Sequence, residues 1–322
     1  MRVLAVLFPA LALLASGQPL AAQDYAGNTY ADYVKKNGLS GTLSSVGSDT
    51  LENLTILWAE QFKRHYPKVE IRIQAAGSST APPALNAGTA NIGPMSRRME
   101  DSEVALFENV FGYKPTPVVI AIDTLAVYVH KDNPVSGLTL QDLDAIFSAN
   151  RKCGAGQAID SWGDLSLAGD WRNLKIELYG RNSISGTHSY FMQHALCNGA
   201  FRNTVVEKPG SASLVHSIAA TPAAIGYSGI GYSTTAVRTV PLASDAGKPF
   251  VEATPENALS GSYPLARLLY VYVNRAPEQP LEPVALQFLA MALSADGQKM
   301  VSRAGYIPLP VNVARRELLK LQ

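Results

Sequence analysis

Three times along this chain a β-prone run gives way to a turn rich in glycine, serine and threonine, and then to a helix. The turns are "VGSDTLENL" (46–54), "AAGSSTAPPAL" (75–85) and "NSISGTHSYF" (182–191). "GTLSSV" and "VEIRIQAA" read as the strands before the first two, and "LKIELYG" as the strand before the third. Leu51, Leu54, Trp58 and Phe62 recur at three- and four-residue spacing, which is one face of a helix. In the second turn, proline stands where a first helical turn accepts it. Repeated strand–turn–helix order requires an α/β architecture and predicts a largely parallel sheet.

Two longer β-rich runs, "TPVVIAIDTLAVYVH" (116–130) and "YPLARLLYVYVN" (263–274), enclose a second α/β set. In that set "LTLQDLDAIFSAN", "HSYFMQHAL" and "SASLVHSIAA" read as helices, and "AAIGYSGIGY" as a strand. After residue 275, "PVALQFLAMALSADGQKMVSRAGY" reads as one amphipathic helix. The expected layout is one lobe from both chain ends (23–123 and 268–322) and a second from the middle (124–267). The two long strands would form the hinge.

At 322 residues and 47% apolar, the chain has material for two packed cores. Its first residues, "MRVLAVLFPALALLASGQPLAAQ", carry Arg2 and then an apolar run shorter than the ~20 residues that span a bilayer. Ending in small residues, that run reads as a secretory signal, removed at about residue 22, with a retained anchor as the alternative. Without Arg2, 26 basic residues face 26 acidic ones, so charge gives no reason to expect nucleic acid or an anionic membrane as partner. In an exported protein the two cysteines, Cys153 and Cys197, read as one disulfide, worth roughly 3 to 4 kcal/mol through loop closure.

Unpaired N–H groups and the helix dipole make the start of a helix attractive to anions, and hydroxyls add donors. Serine and threonine also cap helices with no ligand at all, so each turn alone leaves both readings open. A fourth turn, "PGSASLV" (209–215), reads as a plain cap. The third turn differs in carrying Arg181, whose guanidinium can make bidentate bonds to an oxyanion.

In order along the chain, "GSDTL", "GSST…NIGPMSRRM", "GRNSISGT" and "AAIGYSG" resemble the motifs of the phosphate-binding proteins of ABC transporters, the PstS-like family. The resemblance covers roughly residues 40–310. It implies a type II periplasmic binding protein: two α/β lobes with a two-strand hinge, closing over dehydrated phosphate that is then delivered to a membrane permease. Carried over by position, it assigns the anion to the Thr50 hydroxyl, the Leu51 backbone N–H, Ser78, Arg181, Ser185, the Gly186 N–H and Thr187. Ser96 stands where well-studied members place an aspartate that accepts the proton of hydrogen phosphate. Ser183 stands where a second aspartate orients the arginine. Asp49 is a candidate for the missing carboxylate or a helix cap, and Ser79 is a further candidate donor. A monomer in the periplasm, without cofactor, metal or catalysis, is the expectation.

Other chemistries find little footing. No GxxxxGK[ST] or GxSxG occurs, and the histidines at 65, 130, 188, 194 and 216 form no HExxH. The alternatives are a receptor for another tetrahedral oxyanion, such as sulfate, and a secreted phosphohydrolase. The second would need an activating base or metal that the sequence does not present.

Overall fold

The computed structural model describes residues 23–321 apart from Tyr25. The expected signal segment, 1–22, lies outside the described residues. The first strand, β1 (Gly41–Val46), leads through a 3₁₀ turn at Asp49–Leu51 into α1 (Glu52–His65). β2 (Val69–Gln74) leads through a 3₁₀ turn at Ser78–Thr80 into α2 (Ala81–Asn86), with proline in its first turn as expected. β3 (Ile92–Met95) and α3 (Asp101–Phe111) follow, and then the long β4 (Thr116–His130).

β4 enters the second lobe. There the chain forms β5 (Leu138–Thr139), α4 (Leu140–Phe147), β6 (Glu177–Arg181) and α5 (Gly186–Ala195). It continues through β7 (Val206–Lys208), α6 (Ser211–Ala220), β8 (Ala224–Gly229), β9 (Val237–Thr239) and β10 (Leu242–Ala243). After α7 (Pro255–Leu259), β11 (Ala266–Val273) returns to the first lobe. The chain ends with α8 (Pro283–Ala292), α9 (Ala295–Arg303) and α10 (Val311–Leu319).

The fold is two-lobed α/β, but the sheet is more mixed than its repeats suggest. Main strand order is β2-β1-β3-β11-β4-β8-β6-β7, with β9 also on β4. Pairing is parallel within each lobe, β1 with β2 and β3, and β6 with β7 and β8. The hinge strands β4 and β11 run antiparallel to each other and to their neighbours β8 and β3. Their directions follow from topology: one strand carries the chain out of the first lobe and the other brings it back.

The two largest cores lie one in each lobe. One gathers Leu43, Trp58, Phe62 and Phe288; the other gathers Phe147, Trp162, Phe191 and Tyr227. The segment read as one C-terminal helix is instead two. α8 stops at Ala292, and the Ser294 hydroxyl caps α9 by accepting from the Gly297 N–H. Trp58 then donates its indole N–H to the Gly297 carbonyl at 3.0 Å, seating the break against α1. Cys153 and Cys197 are bridged, with Cα atoms 5.3 Å apart, tying the loop after α4 to the far end of α5.

Candidate functional site

Each turn singled out in the sequence lies at the C-terminal end of a parallel strand, where α/β sheets open their ligand crevices. Turns one and two belong to the first lobe and turn three to the second, and the lobes meet between them. Thr50, Ser78, Ser96, Arg181, Ser185 and Thr187 are buried. The Thr50 and Thr187 hydroxyls share a hydrogen bond of 2.9 Å across the cleft. The Ser79 N–H donates to the Ile184 carbonyl at 3.1 Å, joining turn two to turn three. Glycine is needed for that approach. A Cβ on Gly77 would lie 2.5 Å from the Ile184 carbonyl oxygen, and Gly77 has φ +142°.

On the first lobe the Ser96 N–H donates to Ser78 Oγ at 3.0 Å, and the two hydroxyls stand 3.2 Å apart. Ser48, which sequence reasoning left out, donates to Ser96 Oγ at 3.1 Å. On the second lobe Ser185 caps α5 by accepting from the Thr187 N–H at 3.2 Å. Gly186 begins that helix, where a backbone N–H has no carbonyl within the helix to reach. Leu51 departs from expectation: its N–H already points to the Ser48 carbonyl, 3.3 Å away, within the 3₁₀ turn.

Arg181 is fully buried, and most of its donors are spent on the protein. Nη2 pairs with Asp49 Oδ1 at 2.7 Å and also bonds the Pro209 carbonyl at 2.9 Å. Nε bonds the Lys208 carbonyl at 3.2 Å and Nη1 bonds Ser211 Oγ at 2.9 Å. Of the five guanidinium N–H groups, those bonds leave one, on Nη1. Against the bidentate pair expected, one N–H of Arg181 is thus left without a protein partner.

Asp49 is neither a cap nor a free acceptor. Its Oδ2 receives both the N–H and the hydroxyl of Ser211, at 3.0 and 2.9 Å. It thus orients the arginine, the task the family gives to an aspartate at the position of Ser183. Ser183 itself is exposed and takes no part. The fourth turn, read as a plain cap, contributes Ser211 to this network. The Ser79 hydroxyl accepts from Arg97 Nη2 at 2.9 Å, so it serves another partner. Arg97 is itself buried and paired with both oxygens of Glu103 at 2.6 and 2.7 Å.

A further buried ion pair escaped sequence reasoning. Arg267 on β11 stands opposite Asp123 on β4, and its Nε and Nη2 lie 2.9 and 2.8 Å from Asp123 Oδ2. No motif marks either residue; only the pairing of two distant strands brings them together. Around the site burial, followed by the charge of Asp49, raises the pKa of Glu52. The same two causes hold the Tyr232 phenol, which donates to the Asp49 carbonyl at 2.7 Å, well above its ordinary range. Burial lowers the pKa of His188, with Glu207 opposing and Arg181 adding to the effect.

Hydroxyl and amide donors, helix starts and one arginine N–H, with the buried carboxylates of Asp49 and Asp123 already engaged, make a receptor for a tetrahedral oxyanion. Comparison with known proteins agrees. A family model described as the PBP superfamily domain matches residues 34–296. The chain is 55% identical to the phosphate-binding protein PstS of Pseudomonas aeruginosa over 320 residues, 99% of this chain and 98% of that one. The chain belongs to the PstS family. It is 29% identical to PstS of Bacillus subtilis over 271 residues, 84% of this chain and 81% of that one.

Among solved structures it resembles a phosphate ABC transporter substrate-binding protein of Clostridium perfringens with bound phosphate. The TM-score is 0.70 at 27% identity, covering 83% of this chain and 99% of that one. An ABC-type phosphate transport receptor of Vibrio cholerae, at TM-score 0.62 and 21% identity over 83% and 100%, shares the fold. These relatives are named as binding proteins or, in the last case, a transport receptor. No helix among the described residues is long and apolar enough to cross a membrane.

Proposed function

We propose that this protein is a periplasmic receptor that closes two lobes over inorganic phosphate and delivers it to the permease of an ABC transporter. One observation carries the reading: donor-bearing turns from both lobes converge on a single buried place beside Arg181, in a chain 55% identical to PstS. Stripping water from an oxyanion is expensive unless charge-assisted hydrogen bonds replace it. The hydroxyls of Thr50, Ser78, Ser96, Ser185 and Thr187, the Gly186 N–H and one Arg181 N–H supply those bonds. Leu51 joins them if its N–H leaves the Ser48 carbonyl. Neither lobe holds enough donors alone, so the anion stabilises the closed arrangement by differential contacts.

In this reading the lobes divide at 123/124 and 267/268, supported by two largest cores that hold Ala121 and Leu269 on one side and Leu125 and Leu265 on the other. The segment 1–22 is a signal removed on export, and the mature protein works as a monomer without catalysis or cofactor. Purified mature protein melted with phosphate, arsenate, sulfate, molybdate and a phosphonate tests the reading. Ligand binding raises the melting temperature by mass action. Phosphate and arsenate should give the largest shifts, and a melting temperature unmoved by millimolar phosphate would end the proposal.

A further inference from the structure

Arg267 is all but fully buried, has no place among the turn motifs, and touches both lobes at once. It stands on β11 directly across from Asp123 on β4, so the ion pair bridges the two strands that connect the lobes. Asp123 is fixed in turn: its Oδ1 accepts from the Ile230 N–H at 3.1 Å while Oδ2 holds the guanidinium. From that anchor Nη1 reaches into the first lobe and donates to the Ser96 carbonyl at 3.1 Å. Nη2 reaches into the second lobe and donates to Thr187 Oγ1 at 3.0 Å.

An arginine can only donate. Thr187 Oγ1 must accept that bond, so its own proton is left to donate elsewhere; here Thr50 Oγ1 lies 2.9 Å away. Resting on the phosphate-receptor reading above, we infer that Arg267, anchored by Asp123, is a positioning residue for the anion. It forces the Thr187 hydroxyl into its donating orientation and holds the Ser96 turn at the matching distance. The donor set is thereby assembled from the hinge itself, rather than only by the turns closing on one another. Lysine cannot reproduce the arrangement, because one ammonium on a flexible stem does not span Asp123, Ser96 and Thr187 in a fixed plane.

The test is a double-mutant cycle read by calorimetry with inorganic phosphate on the mature protein: Arg267→Gln, Thr187→Val and both together. Groups that act through one another show non-additive losses, whereas independent sites add. Each single change should weaken phosphate binding at least tenfold, and the double variant should be no more than about threefold worse than the weaker single. Where Arg267→Gln fails to melt cooperatively, Arg267→Lys replaces it. That variant should lose at least fivefold in the wild-type background and almost nothing beside Thr187→Val. Affinity unchanged by both Arg267 variants, or losses that multiply in the double variant, overturns the inference. Wild-type protein that binds no phosphate overturns the receptor reading instead, so the two failures are distinguishable.

Discussion

Replacing Gly186 with alanine should abolish tight phosphate binding while leaving each lobe folded. Gly186 opens α5 on the second lobe, and a Cβ there would point at the first. It would lie 2.7 Å from Ser96 Oγ and 2.8 Å from Ser78 Cβ, and would overlap Ser78 Oγ outright. Ordinary contact begins near 3.4 Å, so against the Ser78 Cβ alone the lobes must stay apart by 3.4 − 2.8 = 0.6 Å. A hydrogen bond of about 2.9 Å stretched by that much is no longer one. The alternative relief, turning the Ser78 and Ser96 hydroxyls aside, removes the same donors. Losing two bonds to a charged ligand at roughly 1.5–3 kcal/mol each gives about 3–6 kcal/mol. That is a loss of more than a hundredfold in affinity. Alanine is a better helix former than glycine, and the clash exists only when the lobes meet, so the unliganded protein should melt within about 2 °C of wild type. Calorimetry with phosphate, alongside a melt without it, decides the matter. Binding within threefold of wild type would refute the claim that turn three closes onto Ser78 and Ser96 around the anion.

Removing the arginine tests the same site from its charged side. Arg181→Ala should weaken phosphate binding at least tenfold and destabilise the unliganded protein by about 3–5 kcal/mol, because Asp49 is left buried without its partner. Urea denaturation of Arg181→Ala beside Arg181→Ala/Asp49→Ala should show part of that loss recovered, and no recovery would mean the pair is not the cause. Sulfate should compete with phosphate within about two orders of magnitude, roughly 2.8 kcal/mol. The reason is that both carboxylates near the site are fully engaged and Ser96 replaces the family's acceptor. A competition titration showing strict phosphate selectivity would locate a proton acceptor elsewhere. Acidification should destabilise the fold through His188, whose pKa burial lowers below its unfolded value of about 6.5. In that range the unfolded chain binds the proton more readily, so the contribution is fully present above about pH 6.5 and is lost as pH falls through the folded value. Phenylalanine can keep the ring contact with Phe201, 4.6 Å between centroids, so His188→Phe should flatten the fall in melting temperature below pH 6.5. An unchanged slope would assign the acid sensitivity to other groups.

The parts of this molecule that could be read in advance are those written in adjacent residues. β4 occupies the whole run from Thr116 to His130 because β-branched and apolar residues dominate it on both sides of Asp123. The three turns are local too, since glycine and hydroxyl residues must follow one another for a strand to end and a helix to start. What escaped was set by contacts between distant residues. Asp49, Arg181 and Ser211 come from three different strand–helix junctions, and nothing near Asp49 reveals that its partners arrive from the other lobe. The turn 209–215 reads as a plain cap because its serines and glycine, considered alone, suit the start of α6 and nothing more. The break between α8 and α9 lay hidden for a related reason: Ser294 is its one local mark, and the contact that seats it, from the Trp58 indole to the Gly297 carbonyl, comes from a distant helix.

Charge balance explains why this arrangement serves a mobile anion. Two guanidinium groups lie at the site, and each already has its own carboxylate, Arg181 with Asp49 and Arg267 with Asp123. Unpaired, either would be costly to bury and would hold a multivalent anion by Coulomb attraction strong enough to hinder release. Paired, they leave no large net fixed charge, so the ligand is held by oriented hydroxyls, amides and helix starts. Such dipoles act at hydrogen-bond range and weaken steeply once the geometry is lost. A lobe displacement of about an ångström then breaks most of them together, without having to overcome a long-range field. Affinity and release therefore depend on the same small motion, and the ion pairs contribute chiefly by fixing where the dipoles point.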